Sequence, residues 1–118
     1  MSKVESTPQQ GDVDVVMSRQ GAKKDMLLPI GDSTVIVQVG HSRLRWTRDP
    51  SLEEGNLHVE FRDGRSPFAN NALRVNQDAL VPVVNGGFFT YDVFLNKANG
   101  QQEVFRGGGG VEAKPKGG

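Results

Sequence analysis

The sequence predicts an all-β domain, and three observations carry that expectation. Valine is as common as glycine, 15 residues each, against 8 Leu and 6 Ala. Branching at Cβ restricts χ1 and suits a pleated surface better than a helix. The 15 glycines and 7 asparagines supply turn chemistry along the whole chain. Short apolar runs of period two recur about every ten residues, with no long amphipathic helical pattern between them. The expected architecture is a two-sheet Greek-key sandwich of about seven to nine short strands, with at most one short helical turn.

The elements follow in order. Residues 1–11 are polar and read as a flexible N-terminal arm. Val13, Val15 and Met17 alternate in a first strand over 12–17, and a polar stretch with Gly21 follows. Residues 26–30 form a short apolar stretch stopped by Pro29 and Gly31. Val35, Val37 and Val39 share one face of a strand over 34–39. Gly40 and His41 are expected to turn the chain into a strand over 43–48, where Leu44 and Trp46 alternate with Arg43, Arg45 and Thr47.

Leu57, Val59 and Phe61 mark the next strand, closed by Asp63-Gly64. Ser66-Pro67 reads as an N-cap with proline at the first helical position, opening one helical turn through Ala72. Residues 73–75 and 80–84 are short strand candidates, and Pro82 places the second at an edge or bulge. Phe89, Tyr91, Val93 and Leu95 line one side of the clearest strand, over 88–95. Asn99-Gly100 signals a tight hairpin into a strand over 103–106. The glycines at 107–110 read as a bend before a last strand over 111–113, with 114–118 as a flexible tail. The domain proper is thus expected over 12–113, with Trp46, Phe61, Phe89 and Tyr91 meeting near its centre.

Composition narrows the function classes. The 118 residues suffice for one domain, and 14 basic side chains balance 14 acidic ones. Zero net charge argues against a general nucleic-acid or anionic-membrane binder. Without cysteine there is no disulfide, thiolate zinc site, iron–sulfur cluster or thiol nucleophile. No apolar run approaches the length of a membrane span, and the first 25 residues lack a signal-peptide core. The expected compartment is therefore the cytoplasm.

The chain order of TVIVQVG (34–40), LRW (44–46), LHVEF (57–61) and GFFTYDV (87–93) resembles the cupredoxin-like sandwiches. The likeness covers roughly residues 26–113 and implies a fold without implying copper. A blue-copper centre needs two imidazoles around a cysteine thiolate. Here Cys is absent, only His41 and His58 are present, and Met stands only at 1, 17 and 26. His58 also lies three residues before Phe61, where the family's ligand histidine stands four before its Phe, so the two side chains take opposite faces.

Candidate chemistry is sparse. His41 and His58 without a carboxylate in register make a weak metal pair, and a two-histidine metal protein is kept as an alternative. Ser42, Ser51 and Ser66 lie in no nucleophile setting such as G-x-S-x-G, so no catalytic residue is assigned. An enzyme with an unrecognised site is the other alternative. The glycines at 107–110 lack the Lys-Ser/Thr of a phosphate loop. Gly117-Gly118 matches the end of ubiquitin-like modifiers, but the long helix of their fold is missing.

Two surfaces remain. Phe88 and Phe94 lie on the strand face opposite Phe89, Tyr91 and Val93, and an exposed aromatic pair marks an association surface. Arg43, Arg45 and Arg48 form a basic set for an acidic partner. Asp49, Glu53, Glu54, Glu60 and Asp63 are interleaved with it and would make it a salt-bridged solvent face instead. The resulting expectation is a non-catalytic binding or assembly domain with no cofactor or metal. Its partner would be a protein or a second copy in a homo-oligomer, not nucleic acid or membrane.

Overall fold

In the computed structural model, residues 8–20, 26–29, 33–50, 52 and 55–115 are described. Among them stand eight strands and a single 3-10 turn. The strands are β1 (Gln9–Gln20), β2 (Met26–Pro29), β3 (Thr34–Arg48), β4 (Gly55–Phe61), β5 (Arg74–Asn76), β6 (Val81–Pro82), β7 (Gly87–Lys97) and β8 (Gln102–Lys114). They form one sheet in the order β2-β1-β3-β8-β7-β4-β5, with β6 paired to β3 off this path. The sheet curls into a half-barrel. β3 runs parallel to both β1 and β8, and the other pairings are antiparallel. No helix among the described residues is long and apolar enough to cross a membrane.

Period two builds the core. Val13, Val15 and Met17 of β1, Leu57, Val59 and Phe61 of β4, and Phe89, Tyr91, Val93 and Leu95 of β7 are all buried. Trp46 stands at the centre, edge-on to Tyr91 at 5.4 Å, Phe61 at 5.9 Å and Phe68 at 6.1 Å. Such edge-to-face contacts contribute roughly 0.5–1.5 kcal/mol each beyond area burial. Phe68, from the connection after β4, takes the place expected for Phe89. Phe89 is buried to one side, with the Arg65 guanidinium 4.9 Å above its ring.

Several boundaries differ from the sequence expectation. Residues 34–39 and 43–48 belong to one strand, β3, not to two strands joined by a turn. Gly40, at φ +80°, carries a bulge inside it. The register shows the insertion, because Gln9 pairs with Val37 whereas Gly11 pairs with Ser42. The inward parity accordingly moves from Val37 to Leu44 and Trp46. The buried Ser42 hydroxyl ties the bulge together, accepting from Gln38 N–H and donating to the Gln9 carbonyl. β3 thus offers residues 34–38 to β8 and residues 42–48 to β1.

β1 begins at Gln9, within the stretch read as arm, and β8 runs through Lys114. The glycines at 107–110 do not bend the chain away from the sheet; they lie inside β8. Gly109 is required there, because a Cβ would fall on the Tyr91 hydroxyl, 2.5 Å from Tyr91 Cζ and 3.1 Å from the Ser33 carbonyl oxygen. The expected helical turn reduces to a 3-10 turn over Ala69–Asn71. Ser66 does not cap it as an N-cap would. Its hydroxyl accepts from Phe68 N–H, and Asn71 Oδ1 accepts from Ser66 N–H. The arm over 1–7, Gly21, Gly31, Ser51, Glu53, Glu54 and the Gly117-Gly118 end lie outside the described residues.

Candidate functional site

The outer face of β5, β4, β7 and β8 carries a connected set of polar side chains. Alternation along β7 sends Phe89, Tyr91, Val93 and Leu95 inward, and therefore Phe88, Thr90, Phe94 and Asn96 outward. The pairing sets β4 beside it, with His58 opposite Phe94 and Asn56 opposite Asn96. β5 continues the rows, with Asn76 opposite His58 and Arg74 opposite Glu60. Three asparagines from three different strands meet in this way around one histidine.

His58 points to this outer face yet is only 3% exposed. Phe94 covers it, the two rings stacked at 4.6 Å and 5°. The imidazole edge is held at both nitrogens. Asn96 Nδ2 lies 3.1 Å from Nδ1, and Glu60 Oε2 lies 3.0 Å from Nε2. Gln102 Nε2 donates to Asn96 Oδ1, which fixes the amide orientation and leaves Asn96 Nδ2 as the donor toward His58. Nδ1 is then an acceptor, and Nε2 carries the proton that it donates to Glu60. The chain Gln102, Asn96, His58, Glu60 crosses three strands with one direction of donation.

Beside the ring lies an open groove of about 300 Å³, lined by Asn56, Leu57, His58, Arg74, Asn76, Gln77 and Asn96. Gln77 is committed to the scaffold, accepting from Leu57 N–H and donating to Asp78. Arg74 Nε donates to Asn76 Oδ1 at 3.0 Å. A second groove, bordered by Pro8, Gln38, Lys114 and Pro115, is closed across by Gln38 Nε2 donating to the Pro115 carbonyl.

One row further along, Asp92 sits at a bulge in the β7–β8 ladder, where Tyr91 pairs with Gly109 but Val93 with Phe105. Its carboxylate, 6% exposed, accepts from Arg62 Nε and Nη2, from Arg106 Nη1 and from Gly107 N–H. Burial works to raise this carboxyl. The hydrogen bonds from Arg62 and Gly107, with the charges of Arg62 and Arg106, outweigh it and hold the group below its ordinary value. The node joins the end of β4 and the middle of β7 to the bulge in β8, so its role is to hold the frame of the face.

The sequence-derived residues divide. Phe88 is 50% exposed at the start of β7, and Phe94 is half-buried against His58. They share a face without forming an exposed pair, because the polar row around Asp92 stands between them. The three arginines do not act together. Arg43 pairs with Asp12 and Arg45 with Asp14 across the parallel β1–β3 ladder, and both pairs are solvent-exposed. Arg48 Nη1 and Nη2 instead donate to the carbonyls of Gly55 and Leu52, fastening the connection into β4. His41 is exposed on β3, on a different strand from His58. Among the described residues no three His, Cys, Asp or Glu side chains group as metal ligands do.

No protein family matches the chain. No curated protein resembles it in sequence either.

Asn56, Asn76 and Asn96 are the residues that sequence reading missed. They counted there only as turn formers. The available signal was their placement inside or beside strands of strong period two, where an amide on the solvent-side parity is free for recognition.

Proposed function

We propose that the chain is a binding domain rather than a catalyst, and that the outer face of β4, β5 and β7 is its recognition surface. One observation carries this reading: three asparagines, an arginine and a histidine of fixed tautomer converge on a groove beside a stacked aromatic. Amides donate and accept, the guanidinium supplies charge, and a preset imidazole adds no rearrangement when a ligand enters. The same elements lack a nucleophile with a neighbouring base. Ser42 and Ser66 are both spent on backbone contacts away from the groove. The two-sheet Greek-key sandwich and the cupredoxin-like strand order belong to this proposal. They are supported by the way β3 serves two sets of strands, one through residues 34–38 and one through 42–48.

The test is a two-dimensional NMR titration of the 15N-labelled chain with pooled small polar metabolites. Amide shifts gathered over 56–60, 74–77 and 94–96 are expected. Shifts confined to β1 and β3, or turnover of any component, overturn the reading.

Half-exposed Phe88 favours a second reading, self-association of two copies, which zero net charge does not oppose. Phe88→Ser is the clean variant, because Phe94 also covers His58. Light scattering should show a dimer converted to monomer by that single change. A monomer at every concentration before mutation rules this second reading out.

A further inference from the structure

Within that groove the polar atoms are not equally committed. Asn96 uses its oxygen on Gln102 and its nitrogen on His58 and the Asn56 carbonyl. Gln77 is bonded at both ends. Arg74 is different. Its Nε is held by Asn76 Oδ1, which orients the guanidinium and leaves Nη1 and Nη2 without a partner among the described residues. Asn76 thereby keeps Nδ2 free, and the Asn56 side chain makes no hydrogen bond among those residues. Glu60 is the acid directly across the β4–β5 ladder from Arg74, yet its Oε2 is held by His58. The unused groups are therefore a forked cation with the Asn76 amide beside it, and the Asn56 amide two rows further along the same groove.

A planar fork with adjacent N–H donors matches a carboxylate, which accepts two parallel hydrogen bonds. The groove volume of about 300 Å³ stands at the low end for small-molecule sites, which fits one ring rather than an extended chain. The amide oxygen of Asn56 remains to accept from a hydroxyl. We propose that the groove binds a small hydroxylated carboxylic acid of the sugar-acid class, with Arg74 and Asn76 taking the carboxylate end and Asn56, two rows along, a hydroxyl of the ring. This rests on the binding reading above and names the ligand chemistry for it.

The experiment is an NMR titration of the full chain with glucuronate and, separately, with glucose. Glucuronate should shift the amides of Asn56, His58, Arg74 and Asn76 saturably, and glucose at least tenfold more weakly. Arg74→Gln should raise the glucuronate Kd tenfold or more, as loss of a charge-assisted contact does. Asn56→Ala should raise it severalfold, and Arg45→Gln, on the β1–β3 side, should leave it unchanged. Equal response to both sugars, indifferent to Arg74→Gln, overturns the carboxylate assignment while the face remains a binding surface. Silence of the groove toward both sugars overturns the inference by itself. Shifts gathered only on β1 and β3 overturn it together with the reading on which it rests.

Discussion

Gly109→Ala isolates one packing constraint of the core. The backbone there lies outside the left-handed region, so alanine is conformationally allowed. On that ground alone the change would stabilise the chain by about 0.4–1 kcal/mol through its unfolded state. The space opposes it. The new methyl would meet the Tyr91 hydroxyl and stand 2.5 Å from Cζ, with the Ser33 carbonyl oxygen 3.1 Å away. Tyr91 has nowhere to retreat, being fully buried and edge-on to Trp46 at 5.4 Å. Overpacking of a rigid core costs roughly 1–3 kcal/mol, and a ring and a backbone carbonyl together place this site at the upper end. The net expectation is a loss of about 2 kcal/mol, or about 8 °C in Tm for a chain of this length. The assay is urea unfolding of wild type, Gly109→Ala, Tyr91→Leu and the double variant. Tyr91→Leu destabilises by itself, yet in its background Gly109→Ala should cost less than about 0.5 kcal/mol, the signature of direct coupling. A neutral or stabilising Gly109→Ala refutes the reasoning, as does an equal cost in both backgrounds.

Two further predictions concern pH. Burial pushes the Tyr91 phenol up to about 12 from an ordinary 10.0, with the Trp46 indole N–H working slightly against it. The raised value means that its stabilisation is complete below pH 10 and is lost as pH rises toward 12, about 3 kcal/mol in all. Urea midpoints between about pH 9 and 11 should fall less steeply for Tyr91→Phe, and identical slopes count against it. Among the described residues neither Tyr91 Oη nor Trp46 Nε1 completes a hydrogen bond, the indole N–H acting on the phenol only through proximity, so Tyr91→Phe itself should cost little at neutral pH. Asp92 has the opposite sign. Its depressed carboxyl contributes stability above the ordinary carboxylate range near pH 4, which is lost as pH falls through the folded-state value. Asp92→Asn should therefore lower stability by about 2 kcal/mol at pH 7 and flatten the acid limb; an unchanged acid limb would show that the carboxylate is not the group responsible.

What could be read from the sequence was what depends on a residue and its neighbours two places away. Val13, Val15 and Met17, or Phe89 through Leu95, show their inward face by alternation alone, and these runs became β1 and β7. What depends on a partner strand was hidden. The acids that neutralise Arg43 and Arg45 are Asp12 and Asp14, 31 residues upstream and brought alongside by parallel pairing. A local reading chose nearer carboxylates instead. The glycines at 107–110 look like a strand breaker until Tyr91 is laid across Gly109. His58 has the parity of an exposed residue, and the ring of Phe94 and the amide of Asn96, both from β7, cover it together with Glu60 of its own strand. The groove was illegible for the same reason, since Asn56, Asn76 and Asn96 are 20 residues apart and become neighbours only through two antiparallel ladders.

The position of β8 sets an order on folding. It is the last strand described, yet it lies in the middle of the sheet between β3 and β7, pairing residues 34–38 with 110–114. While a nascent chain still lacks it, β2, β1, β3 and β6 can assemble on one side and β4, β5 and β7 on the other. Each set then presents an open strand edge to the surroundings. Parallel closure between segments so far apart in sequence is slow, and unpaired edges invite pairing with other chains. The two halves thus wait for the final segment to join them, and any delay or loss of residues 110–114 turns a foldable chain into a pair of exposed edges prone to aggregate.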